Sequence, residues 1–274
     1  MIGRDLCGWA LSLLVALTSL PAAGDALRRP ASCGASAAGL GAPLVRTARL
    51  VENGQGPVIL AIGSSSTLGT GASAPAMSYP SLLERDLGEA FPKLAIRVLN
   101  DGRGGQDADQ ELVRLDRDLG AEHPDLVIWQ VGTNALLRGY DLDVERRLIE
   151  RGIALAKQRG VDVVLMDLQF APRVLARSPW PDMERLIADT AKREGIGYFR
   201  RFEIMREWSL DGRLPASALI GRDGLHMTDA SYGCLAALLA RALGQAWHPS
   251  DRLALSPTAH PVSRAGSGPA PVSP

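Results

Sequence analysis

Short apolar runs of β character alternate along this chain with longer stretches whose apolar residues recur every three or four positions. The runs are VILAI (58–62), AIRVL (95–99), DLVIWQV (125–131), VDVVLMD (161–167) and a weaker IGYF (196–199). Between them lie SYPSLLERDLGEAF, DADQELVRLDRDL, DVERRLIERGIALAKQR and DMERLIADTAKRE, each with the spacing of an amphipathic helix. Strands that are apolar without alternation are buried on both faces, and strands separated by helices pair in parallel through crossovers. The expectation is a three-layer α/β/α sandwich around a five-stranded parallel sheet.

The two ends of the chain have a different character. Residues 1–24 carry Arg4, an apolar segment from Leu6 to Leu20 and the small residues Ala22, Ala23 and Gly24. That is the layout of a secretory signal peptide, with an uncleaved anchor as the competing reading, although the apolar segment is short for a span and Asp5 is unusual before it. Cleavage would leave no integral membrane span and a periplasmic or secreted protein. Residues 25–56 are rich in Ala, Gly and Pro, and residues 248–274 form a Pro/Ser-rich tail. Neither has a sustained apolar period, so the first is expected to be flexible, the second disordered, and the folded domain to span 57–247. An oxidising compartment can join Cys33 to Cys234, but Cys234 sits in the apolar run YGCLAALLARAL and reads first as a small core residue.

The 30 Lys and Arg balance the 30 Asp and Glu, so there is no basic field to draw in nucleic acid. Small molecules or neutral polymers are the expected partners. In an open parallel sheet they bind outside the carboxyl ends of the strands, near the point where strand order reverses. Four clusters meet that condition: GSSST (63–67), NDGRGG (100–105), GTN (132–134) and, before the last helix, DGLH (223–226).

A serine becomes a nucleophile only when a histidine takes its proton and a third group holds that histidine. Of the four histidines, His248 and His260 belong to the tail and His123 to a turn, which leaves His226 with Asp223 three residues earlier. Taken alone, Asp223 reads first as a cap of the final helix with a surface histidine nearby. A metal reading of Asp223, His226 and Asp229 lacks further ligands, and no cofactor motif is present. Gly63 leads into neither a P-loop nor a nucleophile elbow, because position 68 is leucine, no lysine follows, and Thr67 stands where the elbow needs glycine. Acyl transfer also needs donors for the oxyanion, and Gly105 and Asn134 are of the right type, although singly they pass for a turn glycine and a loop asparagine. Together the clusters make a complete acyl-transfer set.

These blocks resemble those of the SGNH (GDSL-type) hydrolases: GSSSTLG for Gly-Asp-Ser-x-x-x-Gly, NDGRGG for Asn-x-Gly-x-x-Gly, GTN for Gly-x-Asn, and DGLH for Asp-x-x-His. The resemblance runs over about residues 58–243. It implies a flavodoxin-like fold, Ser65 as nucleophile, His226 as general base with Asp223 as its partner, and an oxyanion hole of the Ser65 N–H, Gly105 and Asn134. Ser64 replaces the usual aspartate before the nucleophile, and Ala135 an aspartate often found after the asparagine. Ser64 is then expected to hold its loop by a neutral hydrogen bond. Candidate substrate-lining residues are Arg138, Tyr140, Arg173 and Trp180, on loops after the strands. Their polar and ring-bearing character favours an O-acetylated or short-acyl carbohydrate ester. Lipid or aryl ester hydrolysis, acyl transfer to a glycan, and a non-catalytic glycan-binding module are the rival expectations.

Overall fold

The five apolar runs pair as one parallel sheet. A computed structural model describes residues 33–248. In chain order the elements are α1 (Val45–Glu52), β1 (Val58–Gly63), α2 (Ser65–Leu68), α3 (Tyr79–Ala90), β2 (Arg97–Gly102), α4 (Ala108–Ala121), β3 (Leu126–Gln130) and α5 (Thr133–Arg138). There follow α6 (Leu142–Gln158), β4 (Asp162–Met166), α7 (Pro172–Leu175), α8 (Trp180–Glu194), β5 (Gly197–Phe199), α9 (Arg201–Leu210), α10 (Ala216–Leu219) and α11 (Asp229–Trp247). Strand order is β2-β1-β3-β4-β5, with every pair parallel. Helices α1, α3 and α11 pack together on one face, and α4, α6 and α8 on the other. The three-layer sandwich follows from strands β1, β3 and β4, which are buried almost end to end.

The chain leaves β1 for β2 on one side and returns to β3 on the other. The carboxyl ends of β1 and β3 therefore flank the switch point where a crevice opens. The sequence predicts the second strand over 95–99, whereas it runs over Arg97–Gly102. An edge strand is set by its backbone ladder rather than by apolar content, and here the ladder with β1 continues from Val58 opposite Arg97 to Gly63 opposite Gly102. Asn100, Asp101 and Gly102 thus end the strand, and the loop proper begins at Arg103.

The expectation of a flexible segment over 25–56 is corrected for the part described. Residues 33–56 are packed: Leu40 and Leu44 are buried, and the Leu40 carbonyl accepts from Tyr198 N–H at the edge of β5. In α1, the Thr47 N–H and hydroxyl donate to the Asp162 carboxylate, and the Trp247 indole donates to the Thr47 hydroxyl at 2.9 Å. The segment is thus held by buried side chains, Ala37, Leu40, Leu44 and Val51 among them, and by hydrogen bonds to distant residues. The reading of Cys234 as a plain core residue is corrected too: it is buried on α11 but bonded to Cys33, closing a link across 201 residues. The signal-peptide reading for 1–24 and the tail reading over 249–274 lie outside the described residues. Helix α9 was not expected, since its buried residues Phe202, Ile204, Met205 and Trp208 are interspersed with charges and include the fully buried Arg201.

Candidate active site

At the end of β1 the chain turns into α2, and the consecutive hydroxyls separate by direction. Ser64 is buried, and both its N–H and its hydroxyl donate to the Gln130 side-chain carbonyl, at 3.2 and 3.0 Å. Ser66 is buried beside the Tyr232 hydroxyl, and the Thr67 hydroxyl lies 3.3 Å from that of Tyr79. Only Ser65 of the three serines meets the histidine: its Oγ is 2.8 Å from His226 Nε2. Ser65 opens α2, so its backbone N–H has no intrahelical acceptor and points outward from the first turn. The helix sits hard against β2, where a Cβ on Gly102 would lie 2.0 Å from the Leu68 nitrogen.

The histidine is held by its own turn. The Asp223 Oδ1 accepts from the Leu225 and His226 backbone N–H groups, both at 3.0 Å, and Oδ2 lies 2.5 Å from His226 Nδ1. Burial raises the Asp223 pKa, but the bonds from the His226 ring and from those two backbone groups outweigh it and hold the carboxyl at about 2. Asp223 is therefore an acceptor-only carboxylate at neutral pH. With Nδ1–H given to it, Nε2 is left to accept from Ser65. The turn is closed by an antiparallel bridge between Ile220 and Met227, then by the capping box of Thr228 and Ser231 that starts α11. Asp229, the third residue of the metal reading, accepts from the Ser73 N–H and hydroxyl at 2.8 and 2.5 Å. Among the described residues, no group of three or more His, Cys, Asp or Glu is arranged to hold a metal.

The order β2-β1-β3 sets the loops after β2 and β3 on either side of Ser65. Gly105 lies in the first with φ +78°, a conformation costly for any other residue. Asn134 opens the second, and its Nδ2 donates to the Gln106 carbonyl at 2.6 Å. That uses one of two amide hydrogens and leaves the other. Gln106 is also held through its side chain, which accepts from Arg114 Nε at 2.7 Å, while Arg114 Nη2 donates to the Gly63 carbonyl. Behind this loop lie buried acids. Burial is the main cause raising Glu111, to about 8, and Glu145, to about 7; both Glu145 oxygens are without hydrogen-bond partners.

The candidate lining residues separate. Arg138 donates to the Gly105 carbonyl and pairs with the Asp107 carboxylate, and the exposed Tyr140 ring centre is 5.9 Å from its guanidinium carbon. Arg173 stands on the other side, where its N–H donates to the Gly224 carbonyl beside Asp223. Trp180 is stacked on Phe202 with ring centres 4.6 Å apart, in a cleft of about 280 Å³ that also has Asp167, Glu184 and Tyr198 in its wall. Gln130, Arg114 and Asp107 escaped sequence reasoning. A signal existed for Gln130, a polar residue ending an apolar strand just before GTN.

A doubly covered parallel sheet with this strand order is the fold of SGNH-type hydrolases. The chain belongs to the non-GDSL lipase-like family, whose model matches residues 30–249. It is 28% identical over 189 residues to an arylesterase of Vibrio mimicus, covering 68% of this chain and 87% of that protein. Among solved structures it is similar to a two-domain esterase active on acetylated mannans, with a TM-score of 0.62 at 19% identity over 77% of this chain. It spans 56% of that esterase's length. TesA superposes with a TM-score of 0.58 at 22% identity, covering 69% of this chain and 99% of that one. The acetylxylan esterase Axe2 of Geobacillus stearothermophilus gives 0.56 at 22% identity, over 70% of this chain and 96% of that one. The protein is a carboxylic ester hydrolase. Among the described residues, no helix is long and apolar enough to cross a membrane.

Proposed function

We propose that this hydrolase is a serine esterase that removes O-acetyl or other short acyl groups from carbohydrates outside the cytoplasm. The observation that carries the chemistry is the unbroken line from Ser65 Oγ through His226 to Asp223. Ser65 Oγ bonds to the ester carbonyl carbon as its proton passes to His226 Nε2, and Asp223 stabilises the imidazolium. The Ser65 N–H, the Gly105 N–H and the free Asn134 amide hydrogen receive the oxyanion. The C–O bond to the alcohol breaks, the alcohol oxygen takes the proton from Nε2, and water repeats the sequence on the acyl-serine.

Three observations support the substrate class and compartment. Tyr140 on one side, and Arg173 on the other, offer ring and polar surfaces to a neutral polyhydroxyl partner. Structural relatives act on acetylated mannans or are acetylxylan esterases. The Cys33–Cys234 bond and the apolar leader pattern over 1–24 fit an oxidising compartment. The relationship to an arylesterase favours a second reading, hydrolysis of aryl esters by the same groups. Acetate release from acetylated mannan, acetylated xylan, phenyl acetate and a lysophospholipid, measured side by side with an acceptor glycan present, separates these. The proposal expects the acetylated glycans to be preferred over the lysophospholipid and the phenyl ester. Faster phenyl acetate turnover moves the assignment to the aryl reading, and acetyl appearing on the acceptor moves it to a transferase.

A further inference from the structure

The loop from Arg103 to Asp107 carries Gly105, contains two adjacent glycines and is exposed over Arg103–Gly105, so by its own conformational preferences it has many states. Two side chains of α5, four residues apart on one helix face, restrict it. Asn134 holds the Gln106 carbonyl. Arg138 spans two points with one planar fork: Nη2 donates to the Gly105 carbonyl at 2.5 Å, and Nη1 meets Asp107, the buried residue that starts α4.

We infer that Arg138 is a positioning residue which, together with Asp107, fixes the Gly105 peptide so that its N–H and the Asn134 amide converge on one point in front of Ser65. This rests on the proposed roles of Gly105 and Asn134. The Gly105 carbonyl belongs to the peptide after the donor N–H, so a bond to it sets the glycine's ψ. A carboxylate as buried as Asp107 stays where a cation meets it, and Asp109 stands close beside it. Loss of the guanidinium therefore releases the carbonyl and leaves Asp107 facing Asp109. Lysine cannot serve both acceptors as a fork does. On this inference the Arg138 guanidinium is spent on the protein and not on the substrate. Its effect is confined to the transition state, where the oxyanion exists.

The test is steady-state hydrolysis of p-nitrophenyl acetate by wild type, R138Q, R138K, D107N, the R138Q/D107N double variant, N134A and S65A, each first checked for cooperative thermal unfolding. R138Q is expected to lower kcat about 10- to 100-fold with KM within about twofold, because donor alignment is lost and substrate binding is not. R138K should recover less than half of the loss. D107N should reproduce it, and the double variant should be no worse than either single one, as partners in one interaction are not additive. An unchanged kcat in R138Q, or a raised KM at unchanged kcat, overturns the inference. If R138Q does not fold, R138K and D107N decide on the same split. Wild-type kcat in S65A or N134A would instead sink the underlying roles, whereas their loss alongside an intact R138Q would sink the clamp alone.

Discussion

The two sides of Ser65 are built on different principles. On one side, Asp223 and His226 lie within a four-residue turn, and the carboxylate is held by the backbone N–H groups of that turn as well as by the ring. On the other side, Gly105 comes from the loop after β2 and Asn134 from the first turn of α5, and contacts from Arg114 and Arg138 hold that loop in place. Their backing differs too. The acid–base turn leads into α11, which is tied covalently to the N-terminal segment through Cys234. The donor loop rests on α4 and α6, between which Glu111 and Glu145 are buried. The proposed mechanism needs its proton relay to be fixed in chemistry and its oxyanion donors to be fixed in space; on that reading the first is achieved locally and the second by contacts from distant residues.

Breaking either side separates the two contributions. The largest effect is expected on the acid–base side: His226→Ala should lower kcat/KM for p-nitrophenyl acetate by roughly 10⁴- to 10⁶-fold, since nucleophile and base fail together. On the donor side Asn134→Ala should cost about 10²- to 10³-fold, mostly in kcat, because the Ser65 and Gly105 N–H groups remain. Beneath the acid–base side, reduction of the disulfide should lower the unfolding free energy by about 3 kcal/mol in denaturant titration. It should leave kcat of the folded protein within about twofold.

The smallest effect sharpens the contrast from the donor side. Glu145 has a folded pKa of about 7 and Glu111 of about 8, both above the ordinary glutamate value. The native state therefore keeps protons that the unfolded chain gives up from about pH 4.5 upward. Stability is full below that point, falls as pH rises through the folded values, and levels off above about pH 8. Glu145→Gln should flatten the fall between pH 5 and 8 by about 1–3 kcal/mol, while a disulfide-less variant should keep the wild-type slope. Equal slopes in wild type and Glu145→Gln would remove the buried acid from the account.

The same division explains what the sequence revealed. The fold was legible because β1, β3 and β4 are buried on both faces, and a strand in that setting must be apolar throughout. The edge strand β2 was misplaced because its register depends on β1. The DGLH turn was visible since aspartate and histidine meet within four residues. Arg138 and Asp107 were not readable as supports, because a charged residue that contacts a loop 25 or more positions away leaves no local period, the contact spanning 31 residues; Gln130 left only the trace of a polar residue in an apolar strand, and its partner Ser64 lies 66 residues away. The N-terminal segment was misread because its Ala, Gly and Pro content masks the few buried residues, and a disulfide across 201 residues leaves no local mark.

The proposed mechanism requires that one serine of the three is activated: Ser64 and Ser66 are buried, and of the three only Ser65 meets His226. The most direct measurement is labelling with a fluorophosphonate followed by mass-spectrometric mapping of the modified residue, on wild type and on the Ser64→Ala, Ser65→Ala and Ser66→Ala variants. Label on Ser65 alone, abolished in Ser65→Ala and retained in the other two, is the predicted result. Label on Ser64 or Ser66, or labelling that survives Ser65→Ala, would contradict it.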